Sequence, residues 1–146
     1  MGKKIVVIHG PNLNMLGTRE PEQYGTATLS EINEAIQKKA AAHNAEMQAF
    51  QSNHEGEIID TIQKAASACD ALIINPGAYT HTSIAIRDAL VLLDIPVIEV
   101  HLSNIYKREA FRHHSMIAGS ATGQISGLGM QGYLLAVEAC IHLIRE

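Results

Sequence analysis

A glutamate and a histidine stand two residues apart, Glu99 and His101, within the apolar segment 97–102. Side chains two apart in a β-strand share one face of the sheet, so the carboxylate can hold one ring nitrogen and leave the other for proton transfer. A purely structural pair is an alternative. A metal pair is another, although a third ligand at suitable spacing is missing from the sequence. Proton transfer by His101, oriented by Glu99, is the interpretation we favour.

A tyrosine and an arginine, Tyr24 and Arg19, lie in the polar segment 10–27. A phenol loses its proton near pH 10 and therefore acts as a base at neutral pH only beside a cation. One guanidinium about 4 Å away contributes roughly 4 kcal/mol at an effective dielectric constant of 20, which is the size of effect required. Spacing alone leaves open that Tyr24 only anchors its loop by packing.

Polar side chains rich in asparagine and histidine follow the apolar segments directly: Asn12, Asn14, Asn75, His81, Ser103 and Asn104. The carboxyl ends of parallel strands meet at one edge of a sheet, and ligands bind there. We therefore expect these residues to surround one site. Arg108 and Arg112 are four apart on a predicted short helix, 107–114. They would share a face that either binds an anion or hydroxyls, or is simply solvated.

Strands and helices alternate along the chain. The hydrophobic pattern predicts strands at 5–8, 45–51, 71–74, 97–102 and 124–126, and longer helices at 28–43, 57–68, 84–93 and 130–145. Thr28 and Glu31 have the spacing of a capping box. This alternation predicts an α/β fold: a flavodoxin-like, doubly wound, five-stranded parallel sheet of order 2-1-3-4-5. Segment 10–27 is expected to lack regular structure and to act as a lid or binding loop.

Composition narrows the class of protein. The chain has 146 residues, which suits one domain, and its formal net charge of −4 argues against nucleic-acid binding. Its two cysteines have no metal-ligand spacing. No apolar run is long enough for a secretory leader or a membrane span, so we expect a soluble, cytoplasmic protein.

The GxGxxG pattern at 127–132 is not followed by the further strand that a dinucleotide-binding site requires. None of the six lysines lies in an apolar strand, so imine chemistry is not expected.

The motifs together closely resemble the type II 3-dehydroquinate dehydratase family from end to end. They are GPNLNMLGTREPEQYG (10–25), QSNHEG (51–56), NPGAYTHTS (75–83), EVHLSN (99–104), REAFRHHS (108–115) and GLG (127–129). The resemblance implies a cofactor-free, metal-free lyase that converts 3-dehydroquinate to 3-dehydroshikimate, in the shikimate pathway of aromatic amino acid biosynthesis or in quinate breakdown. It also implies a homododecamer, a tetramer of trimers. Residues 1–146 would form one catalytic domain with a lid at about 17–26.

The resemblance also implies catalytic roles. Tyr24 would be a tyrosinate base, activated by Arg19, and Asn12 would position a water that stabilises an enolate. His101, oriented by Glu99, would protonate the leaving hydroxyl, which completes an anti elimination.

Substrate-binding roles follow from the same resemblance. Asn75 with Leu102 and Ser103 would bind the substrate carboxylate. The ring hydroxyls would be held by His81, Arg112 and, from a neighbouring subunit, Asp88. Arg108 receives no direct role.

Other functions remain open from the residues alone. The main alternative is a non-catalytic small-molecule-binding module on the same fold. A receiver domain would need an aspartate where Asn75 stands, and a hydrolase would need Ser103 and His101 to bond although they are only two apart. Apolar residues on more than one face of 84–93 and 130–145 favour subunit contacts.

Overall fold

The computed structural model describes residues 2–18 and 20–144. Five parallel strands form one sheet of order β2-β1-β3-β4-β5, as the sequence predicts. Their bounds are β1 Lys3–His9, β2 Ala45–Gln51, β3 Ala71–Asn75, β4 Val97–His101 and β5 Gly123–Ser126. The partly polar β2 lies at one edge, again as predicted.

The described residues also form five α-helices, the last of which follows β5: α1 Pro21–Tyr24, α2 Leu29–Ala42, α3 Glu55–Ala68, α4 Ile84–Val91 and α5 Met130–Leu143. The capping box of α2 is confirmed, because Glu31 N donates to Thr28 Oγ1 at 3.1 Å and Thr28 N donates to Glu31 Oε1 at 2.9 Å. The predicted helices α2 to α5 agree with these bounds to within two residues at each described end.

Two predictions about irregular segments are wrong. Segment 10–27 contains a 3-10 turn at Leu13–Met15 and the single helical turn α1, which Pro21 begins with a suitably fixed φ. The expected helix at 107–114 is instead two 3-10 turns, Ile105–Lys107 and Ala110–Arg112. Between them the carbonyl of Arg108 accepts a hydrogen bond from His113 Nε2 at 3.0 Å, and extended backbone at this residue interrupts any helix.

Hydrophobic clusters cover both faces of the sheet. In β1, Ile5 and Val7 pack against α2 and α5, whereas Val6 and Ile8 pack against α3 and α4. Residues of β3 alternate in the same way, so each central strand is apolar on both sides. The alternation also decides which polar side chains at the strand ends lie on which face.

The loops after β1 and β3 are packed backbone to backbone. Gly10 N donates to Asn75 O at 2.7 Å, and a Cβ added to Gly10 would lie only 2.3 Å from the oxygen of Pro76. Only glycine permits this approach. The contact brings the loop that carries Asn12 beside Asn75.

Among the helices of the described residues, none is long and apolar enough to cross a membrane. Across residues 2–18 and 20–144, no group of three or more His, Cys, Asp or Glu side chains is placed to hold a metal ion.

Candidate active site

An open cavity lies at the carboxyl edge of the sheet; we call it the carboxyl-edge cavity. The predicted site residues that line it are Asn12, Tyr24, Asn75, His81, His101, Leu102, Ser103 and Arg112. The structure therefore brings these eight predicted residues together around one cavity. Arg108 also lines the cavity, although no role was predicted for it.

Five residues expected at the site are not among the cavity's lining. Asn14 accepts a hydrogen bond from Gln51 Nε2 at 3.4 Å, and Asn104 accepts one from Tyr106 N at 3.0 Å. Arg19 lies outside the described residues. Glu99 is fully buried beneath the cavity. Asp88 lies on the exposed side of α4, where its carboxylate accepts a hydrogen bond from Arg87 at 2.8 Å.

Glu99 and His101 form the expected pair on one face of β4. The Nε2 atom of His101 lies 2.5 Å from Glu99 Oε2. Because Glu99 occupies Nε2, Nδ1 is the ring nitrogen left for a ligand. The predicted contact between the carboxylate and one ring nitrogen is thus present.

Two further side chains hold Glu99 in place, and sequence reasoning missed both. Ser115 Oγ and Gln124 Nε2 donate to the same Oε2 atom at 2.8 and 3.0 Å. Burial acts to raise the pKa of Glu99, but the hydrogen bonds from His101, Ser115 and Gln124 outweigh it and leave the pKa below its usual value. Glu99 is therefore a carboxylate at neutral pH. Ser115 and Gln124 are distant in sequence from β4, and no local pattern points to them.

Tyr24 is paired with Arg108. Arg108 Nη1 donates to the Tyr24 hydroxyl at 2.6 Å and to Ser103 Oγ at 3.3 Å, and the guanidinium carbon lies 5.0 Å from the centre of the tyrosine ring. Only 8% of the Arg108 side chain is exposed, and its Nη2 lies 3.6 Å from Glu20. A nearly buried guanidinium at this distance stabilises negative charge on the phenol oxygen.

His81 is oriented by the backbone. Its Nδ1 donates to the carbonyl of His114 at 2.9 Å. Burial lowers the pKa of His81, so the ring is neutral at pH 7. A neutral ring that donates through Nδ1 presents a lone pair at Nε2, which suits a ligand hydroxyl.

Asn12 is held in an unusual backbone conformation. Its φ of 70° is left-handed, and its amide N–H donates to the Asn53 side chain at 3.0 Å. Gln51 donates to Gly10 O at 3.1 Å and to the same Asn53 oxygen at 3.2 Å. The end of β2 thus fixes the loop that carries Asn12.

The backbone of Leu102 and Ser103 is held by the end of β5 and the loop that follows it. Gly129 N donates to Leu102 O at 2.9 Å, and Ser126 Oγ donates to Ser103 O at 3.2 Å. These contacts fix the backbone that follows β4 at the floor of the cavity.

Asn75 is bonded to a buried polar chain behind the cavity. Its Nδ2 donates to the Tyr133 hydroxyl at 3.1 Å, and its Oδ1 accepts from Gly77 N at 3.1 Å. The Tyr133 oxygen lies 3.2 Å from His9 Nδ1, and His9 Nε2 lies 2.8 Å from Asn33 Oδ1. His9 and Tyr133 are both fully buried.

The burial of His9 predicts that the folded protein loses stability in mild acid. Burial lowers its pKa to about 4, although the hydrogen bond to Asn33 acts in the opposite direction. Between pH 6.5 and 4 the unfolded chain binds a proton that the folded chain does not, so the free energy of unfolding falls as the pH falls. At pH 5 this group accounts for about 2 kcal/mol of that loss.

Urea unfolding at pH 7 and pH 5 measures this effect. His9→Gln is expected to lose about 2 kcal/mol less than wild type between the two pH values. His43→Gln, at an exposed position, should behave as wild type does. Equal losses for His9→Gln and wild type would contradict the prediction.

Acid–base side chains gathered at the carboxyl edge of a doubly wound parallel sheet define an enzyme on a flavodoxin-like fold. The family model described as Dehydroquinase class II matches residues 3–141. The chain belongs to the class II dehydroquinase family, which confirms the resemblance seen in the sequence.

Individual relatives are similar to this chain over nearly its whole length. A protein of Halothermothrix orenii named 3-dehydroquinate dehydratase is 57% identical over 143 residues, 98% of this chain and 97% of that protein. A catabolic 3-dehydroquinase of Emericella nidulans is 58% identical over 138 residues, 94% of this chain and 90% of that protein. The crystal structure of the type II dehydroquinase from Butyrivibrio crossotus matches with a TM-score of 0.93 at 48% identity, covering 95% of this chain and 97% of that one. The chain is thus an enzyme of this family, and the binding-module alternative loses its support.

Proposed function

We propose that the chain is a lyase that dehydrates 3-dehydroquinate to 3-dehydroshikimate reversibly. The observation that carries the proposal is that Tyr24, bonded to Arg108, lines the same cavity as His101, whose ring is held by the buried Glu99. A base and an acid that face one cavity suit the removal of a weakly acidic C–H and a hydroxyl from neighbouring carbons.

The first step forms an enolate. Tyr24, as a tyrosinate, takes a proton from the carbon beside the substrate ketone, and the C–H electron pair moves into a C=C bond while the ketone oxygen takes up the negative charge. Asn12 positions a water that donates a hydrogen bond to this oxygen. The left-handed backbone of Asn12, held by Asn53, supports this role because it fixes the side chain at the cavity wall.

The second step expels water. The enolate returns its electron pair to form the product double bond, the C–O bond breaks, and the leaving hydroxyl takes a proton from His101. The buried carboxylate of Glu99 stabilises the ring while it carries that proton. Proton removal and hydroxyl loss occur on opposite faces of the ring, giving an anti elimination.

The substrate is bound by polar groups around this centre. We assign the carboxylate to Asn75 and to the segment Leu102–Ser103, and the ring hydroxyls to His81 and Arg112. The lone pair that His81 presents suits a hydroxyl donor. These assignments give each charged or polar group of the substrate a partner of matching chemistry.

In this proposal, two arginines stabilise Tyr24 as a tyrosinate. Arg108 donates to the phenol oxygen, and we assign Arg19, in the segment 17–26 that we propose as a lid, the role of a second activating charge. The whole chain then works as one catalytic domain. The turn α1 supports the lid role because it carries Tyr24 itself.

A second subunit completes the site in our proposal. The exposed side of α4 carries Ile84 and Val91, which are 58% and 56% exposed, with Asp88 between them at helical spacing. Packing this apolar stripe on another subunit near its exposed Phe111 would bring Asp88 toward Arg112 of that subunit. The proposed assembly is a dodecamer, a tetramer of trimers. Light scattering should report about twelve times the chain mass, and a monomeric mass would contradict the assembly.

The test of the proposed function is turnover of 3-dehydroquinate. Dehydration creates a conjugated enone, so product is followed directly by ultraviolet absorbance. Folded wild-type protein that yields no product would contradict the proposal. The cytoplasmic location and the choice between shikimate biosynthesis and quinate breakdown stay predictions, which cell fractionation and growth of a gene deletion on defined carbon sources would test.

A further inference from the structure

We infer that Tyr133, with His9 behind it, is a positioning residue that fixes which way the carboxamide of Asn75 faces, so that its free N–H points into the carboxyl-edge cavity. The inference rests on the proposed role of Asn75 in binding the substrate carboxylate. It assigns a purpose to two buried polar side chains that the reaction itself does not use.

The hydrogen-bond pattern has one consistent direction. Asn33 Oδ1 can only accept, so His9 Nε2 carries the proton. The neutral ring then has a lone pair at Nδ1, which accepts from the Tyr133 hydroxyl. Since the hydroxyl hydrogen is used there, Tyr133 offers a lone pair to Asn75 Nδ2. Burial, which lowers the pKa of His9 to about 4, keeps the ring neutral at physiological pH.

This direction decides what Asn75 presents to a ligand. Its Oδ1 accepts from Gly77 N and one hydrogen of Nδ2 is given to Tyr133, so the second Nδ2 hydrogen remains for the cavity. A donor suits a carboxylate oxygen, whereas a flipped carboxamide would present an acceptor and repel it. Tyr133 and His9 therefore act on substrate affinity through Asn75, without touching the substrate.

The geometry is well suited to positioning. Tyr133 and His9 are fully buried and come from α5 and β1, while Asn33 comes from α2. The His9 and Tyr133 rings are 5.4 Å apart. Three elements thus converge behind one side chain of the site, and Tyr133 is bonded on both sides of its hydroxyl, to His9 and to Asn75.

Tyr133→Phe tests the inference with minimal change in shape. We expect KM for 3-dehydroquinate to rise at least about tenfold, while kcat stays within about threefold, because the lost interaction concerns binding of an unchanging carboxylate. Cys140→Ala, a buried truncation two turns further along α5, is the matched control and should leave KM unchanged. His9→Leu, which removes the acceptor of the Tyr133 hydroxyl, should raise KM in the same direction and serves if Tyr133→Phe does not fold.

A double-mutant cycle separates positioning from a general structural effect. Asn75→Ala should raise KM, and adding Tyr133→Phe to it should raise KM no further, since Tyr133 acts only through Asn75. An unchanged KM in Tyr133→Phe, or an equal increase in the presence and absence of Asn75, would overturn the inference.

Failure of the proposed function would be recognised separately. If wild type does not turn over 3-dehydroquinate, ¹⁵N NMR of the ligand-free protein still shows which ring nitrogen of His9 carries the proton. A protonated Nε2 and a hydrogen-bonded, unprotonated Nδ1 at His9, with the Nδ1 signal shifting in Tyr133→Phe, would support the orientation. A proton at Nδ1 would overturn it.

Discussion

Tyr24→Phe is expected to lower kcat for 3-dehydroquinate by about 10³-fold or more, with KM changed only a few-fold. The substitution removes the oxygen that takes the substrate proton and leaves the ring in place. Arg108 then loses its partner at 2.6 Å, but its contacts with Ser103 and Glu20 remain. Appearance of the enone absorbance gives kcat, and calorimetric titration gives binding separately.

Tyr106→Phe is the matched control for this substitution. Tyr106 is 57% exposed and its ring lies against His113, outside the lining of the carboxyl-edge cavity. It should retain wild-type turnover. If Tyr24→Phe and Tyr106→Phe turn over equally well, the reaction is assigned correctly but Tyr24 is not its base.

Arg108→Met is expected to lower kcat by about 10²- to 10³-fold at neutral pH, because a guanidinium this close contributes roughly 4 kcal/mol to a phenolate at an effective dielectric constant of 20. Part of the activity should return as the pH is raised, because a phenol loses its proton more readily at higher pH. A pH profile of kcat measures both effects. The contact between Arg108 and Tyr24, on which this prediction depends, is visible only in the tertiary structure.

Two further substitutions make the test of Arg108 specific. Lys64→Met removes an exposed positive charge from α3 and should leave the pH profile as in wild type. Arg112→Met should act mainly on KM, because we place that side chain on substrate hydroxyls. A profile for Arg108→Met that falls uniformly at every pH would show that Arg108 binds or supports the site without favouring the tyrosinate.

The strand order and the layering could be predicted from local patterns. Wholly apolar, β-branched runs such as Ile5–Ile8 are buried on both faces, and alternation with amphipathic helices leaves few topologies. The same local period placed Glu99 and His101 on one face of β4. The site at the carboxyl edge followed because every parallel strand ends there.

Irregular segments were predicted less well, for a physical reason. The spacing of Arg108 and Arg112 suggested one helix face, but the His113 ring takes the carbonyl that a helix would use, and the chain forms two short turns. Both arginines still reach the cavity. Periodicity reports repeated local geometry, and it cannot reveal a side chain that competes for a backbone group.

By itself, the sequence determined the fold class, the edge of the sheet that holds the cavity and most of the residues that line it. Only the tertiary structure decided the pairings. Arg108 meets Tyr24 from 84 positions away, Gln124 meets Glu99 from 25, and Tyr133 meets His9 from 124. Such contacts depend on how separate elements pack, and no local spacing encodes them. These contacts determine the charges, the histidine tautomers and the carboxamide direction at the site, because each of these properties depends on the partner that lies nearest in space.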